Sequence, residues 1–186
     1  GDVSELSIEC GAGFLKVEGE EGLSEIIVEA EIILEGIPED ETGDFLERSL
    51  ELSLEKRGSK AVLKSRFENN GGIFRALTSM NRKQLVNLTV RMPDNLALDI
   101  EDGSGSIEAT NIGDRVDITD GSGGLILQNV RGDVEIDDGS GSARVEDIEG
   151  DLDFTDGSGD LEIENVSGSV EINDGSGGIS VRIVGG

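Results

Sequence analysis

The sequence has no histidine, tryptophan or tyrosine and only five phenylalanines in 186 residues. Histidine is the usual general base and the commonest neutral metal ligand, so its absence removes the standard groups for acid–base catalysis and for transition-metal binding. Tryptophan and tyrosine supply the rings that stack on sugars and bases. Many classes of enzyme and of aromatic ligand-binding module are therefore disfavoured.

Cysteine and long apolar runs are also scarce. The single cysteine, Cys10, excludes an intramolecular disulfide and is interpreted as a small apolar filler rather than a reactive thiol or a lipid attachment point. No apolar run approaches the roughly 18 residues of a membrane-spanning helix, so we predict no transmembrane segment. The chain starts at Gly1 without methionine, which fits removal of an upstream piece such as a secretion signal.

Charge is abundant and uneven. The 41 acidic and 15 basic residues give a formal net charge of −26, so no nucleic-acid partner is expected. Residues 96–186 hold 22 acidic and four basic residues, whereas residues 56–91 hold nine basic residues and one acidic residue. We interpret this basic stretch as pairing with the acidic segment around Glu25, Glu29 and Glu31; a site for anionic envelope polymers or lipid headgroups is the alternative.

An internal repeat dominates the second half of the chain. The tetrapeptide Asp-Gly-Ser-Gly recurs every 18 residues, beginning at Asp102, Asp120, Asp138, Asp156 and Asp174. Apolar residues keep the same phase in each unit. Two alternating pairs recur, as in Ile107/Ala109 and Val116/Ile118, and a lone apolar position follows the first pair, as in Ile112.

This pattern predicts an all-β fold, a parallel β-solenoid (β-helix) with 18-residue coils and two strands per coil. Period-2 alternation indicates half-buried strands, and the glycine-rich tetrapeptides supply tight corners between them. An antiparallel up-and-down sheet would not require each residue type to recur at the same phase. We expect a right-handed coil from the crossover rule.

Stacked coils place like residues above one another. We expect hydrogen bonds along the stack at the second corner, from Asn111, Asn129, Asp147 and Asn165. A serine column occupies the first corner, at Ser104, Ser122, Ser140, Ser158 and Ser176. Both columns are interpreted as corner structure rather than as ligand sites.

The N-terminal half is predicted to cap the stack with a strand, a short helix and a β-hairpin. The helix is expected over residues 38–50, interrupted by Gly43, and the hairpin turns near Gly58. Residues 10–18 mimic a repeat, with Cys10 in the aspartate column. We divide this single domain, residues 1–186, into a degenerate first coil (1–35), a non-repetitive cap or insertion (36–85) and regular repeats (86–186). A loop is expected from Asn69 to about Lys83.

Calcium is the sharpest ligand hypothesis, and the weak candidate ligands are the five repeat aspartates, Asp102, Asp120, Asp138, Asp156 and Asp174. Crowded carboxylates favour a hard cation. The known calcium solenoid repeat, however, needs an aspartate where this chain has Ile107 and its equivalents. Outward aspartates in ordinary Asp-Gly turns are the alternative. Residues 96–186 contain four basic residues, Arg115, Arg131, Arg144 and Arg182, so no carboxylate–arginine cleft is predicted, nor any catalytic residue or cofactor.

The corner-and-strand unit Asp102-Gly103-Ser104-Gly105-Ser106-Ile107 and the lead-in over residues 90–96 resemble a bacterial envelope family of unknown function whose members are described as adhesins. The resemblance implies export, a β-solenoid and a role in adhesion or envelope structure, without catalytic residues. We therefore expect a non-catalytic module in the periplasm, at the outer membrane or on the cell surface. We expect the module to bind an unidentified envelope or cell-surface partner. The solenoid edges also allow self-association.

Overall fold

The structure, a computed structural model, describes residues 2–68 and 83–182. Fourteen strands form one sheet, with a 3₁₀ turn (Glu39–Glu41) and a single helix, α1 (Thr42–Ser49), in the described N-terminal half. The strands are β1 (Glu5–Glu20), β2 (Ile27–Glu35), β3 (Leu50–Arg57), β4 (Lys60–Phe67), β5 (Lys83–Pro93), β6 (Ala97–Ile112), β7 (Val116–Asp120), β8 (Gly123–Val130), β9 (Val134–Asp138), β10 (Gly141–Ile148), β11 (Leu152–Asp156), β12 (Gly159–Val166), β13 (Val170–Asp174) and β14 (Gly177–Arg182). The predicted all-β class is confirmed.

The strands of the repeats stack in two series, which we call wall A and wall B. Wall A contains β7, β9, β11 and β13, and wall B contains β8, β10, β12 and β14. Each strand pairs in parallel with the strand 18 residues later, so Val116 lies opposite Val134 and Gly123 opposite Gly141. The long strand β6 contributes to both walls. The predicted parallel solenoid with two strands per coil is thereby confirmed.

The N-terminal end of the stack is assembled from segments that are distant in sequence. Strand β1 forms the coil before β6 and places Cys10 opposite Asp102, as the degenerate repeat predicts. Beyond β1, the parallel strands β4 and β5 extend wall A and wall B, respectively. Strands β3 and β2 then pair with them in antiparallel fashion as the outermost strands. The cap strands therefore cover the edges of parallel rungs.

The predicted hairpin and helix both form, with one difference. In the hairpin, Leu54 lies opposite Leu63, and Gly58 at the turn has a φ of 68°. The predicted interruption of the helix at Gly43 is wrong, because α1 runs through that residue. Gly43 lies in the first helical turn, where backbone N–H groups have no intrahelical partner in any sequence.

One other predicted feature lies outside the described residues. It is the loop expected from Asn69 to about Lys83, which falls on residues 69–82. The return of the chain into the stack after that loop is confirmed, because Leu88 and Val90 of β5 lie opposite Leu15 and Val17.

The core lies between the two walls and is built from the repeating apolar positions. Alternate side chains point inward from each strand, so each inward column of the core consists of apolar residues at successive rungs. The largest fully buried side chain is Phe154. Four of the inward columns consist of Leu98, Val116, Val134 and Leu152; Ile100, Ile118, Ile136 and Phe154; Ala109, Leu127, Val145 and Ile163; and Ile112, Val130, Ile148 and Val166.

A glycine column forms the first corner between the walls. Gly105, Gly123, Gly141, Gly159 and Gly177 have φ values between 149° and 158°, which side chains rarely adopt. At Gly123 an added Cβ would lie 1.5 Å from the carbonyl oxygen of Gly105. Glycine here serves close backbone stacking as well as turn geometry.

Candidate functional site

The repeat aspartates end the wall A strands and lie in register with one another. Asp102 is opposite Asp120, and the pairing continues to Asp174. We call this column, Asp102, Asp120, Asp138, Asp156 and Asp174, the aspartate ladder. Because Leu98 and Ile100 point inward, period-2 alternation directs Asp102 inward as well.

The first four carboxyl side chains of the aspartate ladder are buried, so the interpretation of these residues as outward-facing turn aspartates is wrong. Asp120 is 2% exposed and Asp138 is 1% exposed. The signal that could have revealed this is the strand alternation, which continues one residue into the corner motif. Each aspartate can begin an Asp-Gly turn and still point into the core, because the corner begins at an inward-facing strand position.

In the buried aspartates, one of the two carboxyl oxygens accepts a backbone hydrogen bond. The Asp138 Oδ1 atom accepts a hydrogen bond from the Ser140 backbone N–H at 3.0 Å, and Asp120 and Asp156 accept equivalent bonds from Ser122 and Ser158. The other oxygen, Oδ2, has no hydrogen-bond partner in Asp120 or Asp138. A buried acceptor left unpaired in this way is destabilising unless something donates to it.

The environment of the ladder favours protonated carboxyl groups. Burial, together with the neighbouring charges of Asp120 and Asp156, raises the pKa of Asp138 to about 6. Burial also raises the pKa values of Asp102, Asp120 and Asp156 above the usual aspartate value.

Cys10 occupies the rung above Asp102. Its thiol is half-buried and hydrogen-bonded to the Asp102 carboxyl group, and burial raises the pKa of the thiol well above its usual value. A thiolate is the reactive form of cysteine. The environment of Cys10 therefore favours the predicted structural role over a reactive one.

A calcium ion at the ladder would require six to eight oxygen ligands. Among residues 2–68 and 83–182, no three or more acidic or cysteine side chains are grouped so as to hold a metal ion. The calcium hypothesis for Asp102, Asp120, Asp138, Asp156 and Asp174 remains a prediction.

The second corner carries the hydrogen-bonded column expected from the sequence. Asn111, Asn129, Asp147 and Asn165 adopt left-handed backbone angles, with φ between 57° and 62°. The Asn129 Nδ2 atom donates to Asn111 Oδ1 at 2.7 Å, and Asn165 Nδ2 donates to Asp147 Oδ1 at 2.9 Å. Asp147 has no amide N–H to donate toward Asn129, so it divides the column into two pairs.

Replacing Asp147 with asparagine is expected to stabilise the protein. The new amide can donate to Asn129 Oδ1 while its oxygen still accepts from Asn165, and asparagine tolerates the left-handed backbone. One added hydrogen bond of about 1 kcal/mol corresponds to a rise in Tm of about 3 °C. Differential scanning calorimetry of the variant and of wild type measures this difference in Tm. Asp147→Ala removes the same charge without adding a donor and should lower Tm; a rise in both variants would contradict the explanation.

The basic stretch pairs with acidic side chains, as predicted, but with different partners. Lys64 Nζ lies 2.7 Å from Glu9 Oε2, and Lys60 Nζ lies 2.7 Å from Glu5 Oε1. The expected partners Glu25, Glu29 and Glu31 are wrong for these lysines, because β4 pairs with β1 and not with β2. Further pairs join Arg66 to Glu51, Lys83 to Glu35 and Arg91 to Glu20; Arg75 and Arg82 lie outside the described residues.

The four arginines of the repeats are distributed along the outer surface. Arg115 pairs with Asp117, Arg131 with Asp94, Arg144 with Glu162 and Arg182 with Glu164. These pairs are separate: Arg115, Arg144 and Arg182 bridge acidic side chains on their own or a neighbouring rung, and Arg131 reaches past Gly113 to Asp94, 37 residues earlier. The arrangement neutralises local charge and does not gather a carboxylate–arginine cleft.

The outer face of wall B carries a shallow groove of about 670 Å³. It follows a column of mostly small residues, among them Ser106, Gly124 and Ser142, and charged as well as apolar side chains line it, including those of Phe14 and Ile126. The outer face of wall A is acidic instead, with Asp117, Glu135 and Asp153 in one column. No helix in the described part of the chain is long and apolar enough to cross a membrane.

Comparison with known proteins places this geometry in a family. A search of curated proteins finds no match. Among solved structures, the chain is similar to a crystal structure from Clostridium sporogenes ATCC 15579 titled "putative cell adhesion protein". The two share 16% sequence identity with a TM-score of 0.51, over 98% of this chain and 94% of that one, which shows a common fold. The Toastrack DUF4097 family profile matches residues 46–185, so the chain belongs to the Toastrack DUF4097 family.

Proposed function

We propose that this protein is a non-catalytic, exported β-solenoid that acts as an adhesin-like or structural module of the cell envelope. The proposal places it in the periplasm, at the outer membrane or on the cell surface. The name of the similar clostridial structure supports a role in adhesion, and the shared fold is the basis for extending that role to this chain.

The observation that carries the proposal is the continuity of the two outer walls. Parallel rungs repeat the same outward positions from β6 to β14, and the side chains there are mostly charged or small. A rigid surface of stacked rungs suits contact with an extended partner, because successive rungs present outward positions at a regular spacing. The groove of wall B, where Ile126 is 44% exposed between charged side chains such as Glu108 and Arg144, is the surface we assign to that contact.

Two measurements test the proposal. Cell fractionation followed by protease treatment of intact cells should find the protein outside the cytoplasm. Fluorescently labelled protein should then bind intact cells, and Ile126→Glu should weaken binding about tenfold or more by placing a charge in the groove. Asn173→Glu adds the same charge on wall A and should leave binding unchanged. A cytoplasmic protein, or equal binding by both variants, would contradict the proposal.

A further inference from the structure

The aspartate ladder is a file of carboxyl groups inside the apolar core of a protein whose surface is already strongly acidic. In-register parallel strands hold successive side chains about 4.8 Å apart. Like charges at that separation cannot all ionise in a buried site, as carboxylate dyads in other proteins show. Something must therefore reduce the negative charge of the ladder.

The unpartnered carboxyl oxygens indicate what reduces the negative charge of the aspartate ladder. Oδ1 of Asp120 and of Asp138 is occupied by a serine backbone N–H, whereas Oδ2 of both residues is buried and without a partner. A protonated carboxyl group donates one hydrogen bond, and an ionised neighbour accepts it. Protonation of some rungs would thus supply the donor that the next rung lacks.

We propose that the aspartate ladder is a proton-binding site, in which protonated rungs donate hydrogen bonds to ionised neighbours and so hold consecutive coils together. The solenoid is then most stable in mildly acidic solution and loses stability as the ladder ionises. No bond other than the O–H bond changes, and the proton comes from and returns to solvent.

The groups around the ladder agree with this assignment. The titratable groups that act on it from the surrounding strands are Cys10 of β1 and Asp137 of β9, besides the aspartates themselves. None of these can supply positive charge. Calcium would need at least six oxygens in a region packed with apolar side chains, whereas a shared proton needs only two.

The direction of the pH effect follows from linkage. Because its folded-state pKa is raised, the Asp138 carboxyl group binds more protons in the folded protein than in the unfolded chain between about pH 4 and about pH 6. Stability contributed by the ladder is therefore fullest near pH 4 and falls as pH rises through about 6. Unfolding in urea near pH 5 should release protons from the wild-type protein.

The test compares Asp138→Asn with Asp153→Asn in thermal unfolding between about pH 5 and pH 8. Both variants replace one carboxyl group of wall A with an amide, but Asp153 is exposed and on the outer face. From about pH 5 to pH 8, the Tm of wild type and of Asp153→Asn should decrease. The Tm of Asp138→Asn should decrease by about 5 °C less than theirs. Each protein is also measured in EDTA, in calcium and in magnesium at equal ionic strength.

Three results would overturn the proposal. The first is an equal pH dependence of the two variants. The second is a loss of Tm in EDTA that calcium alone restores, which would mean that a metal ion occupies the ladder. The third is proton uptake on unfolding of the wild-type protein near pH 5, a measurement that needs no variant. A flatter pH profile confined to Asp138→Asn, with proton release and no effect of EDTA, supports it.

Discussion

Alanine at position 123 is expected to destabilise the protein by about 4 kcal/mol or more, lowering Tm by about 10 °C. Gly123 has a φ of 151°, and an added Cβ would lie 1.5 Å from the Gly105 carbonyl oxygen. That oxygen belongs to the backbone of the preceding rung, so relief would require the two coils to separate. The effect therefore combines backbone strain with lost pairing between β6 and β8.

The neighbouring glycine provides a matched control. At Gly124 the nearest atom to an added Cβ is Ser106 Oγ, at 3.9 Å, and its column contains Ser106 and Ser142. Gly124→Ala should change Tm by less than about 2 °C. Thermal unfolding of both variants by circular dichroism is the measurement. Similar losses at the two positions would contradict close stacking at the glycine column.

Removing residues 123–140 is expected to leave a folded protein that is shorter by one coil. Ser122 is then followed by Gly141, and β10 pairs with β6 through the same inward and outward positions that β8 used. Stability falls only by the contribution of one repeat and its interface, so we expect Tm to decrease by about 5 °C.

Removing residues 123–139, one residue fewer, should have a much larger effect. The shift reverses the faces of every strand after the junction relative to β6, placing Arg144 at the inward position of Leu127. We expect a loss of Tm of at least about 10 °C and rapid proteolysis after the junction. Thermal unfolding and limited proteolysis with mass spectrometry compare the two deletions. Equal stability would contradict the in-register stacking of coils.

The repeat predicted the fold because stacked coils place a strict demand on sequence phase. Each inward column, such as Ile118, Ile136 and Phe154, must remain apolar, and each glycine corner must remain glycine. The asparagine column was predictable for the same reason, since Asn129 and Asn111 meet only if the register is 18 residues.

The features that the sequence did not predict depend on contacts between segments without a common period. Nothing in the composition of β4 shows that it pairs with β1, so the partners of Lys60 and Lys64 could not be assigned. The burial of Asp138 was obscured because Asp-Gly is favoured in exposed turns. Its position as the third inward residue after Val134 and Ile136 is the pattern that outweighs that preference.

The most direct test of the aspartate ladder is a pH titration of its carboxyl carbons by NMR. Protein labelled with ¹³C-aspartate gives one Cγ signal per residue, and the signal of Asp138 is assigned from its absence in Asp138→Asn. The account predicts that this signal titrates with a midpoint of about 6 and without added metal. A midpoint near 4, the ordinary value for aspartate, would contradict a proton-binding ladder in the core.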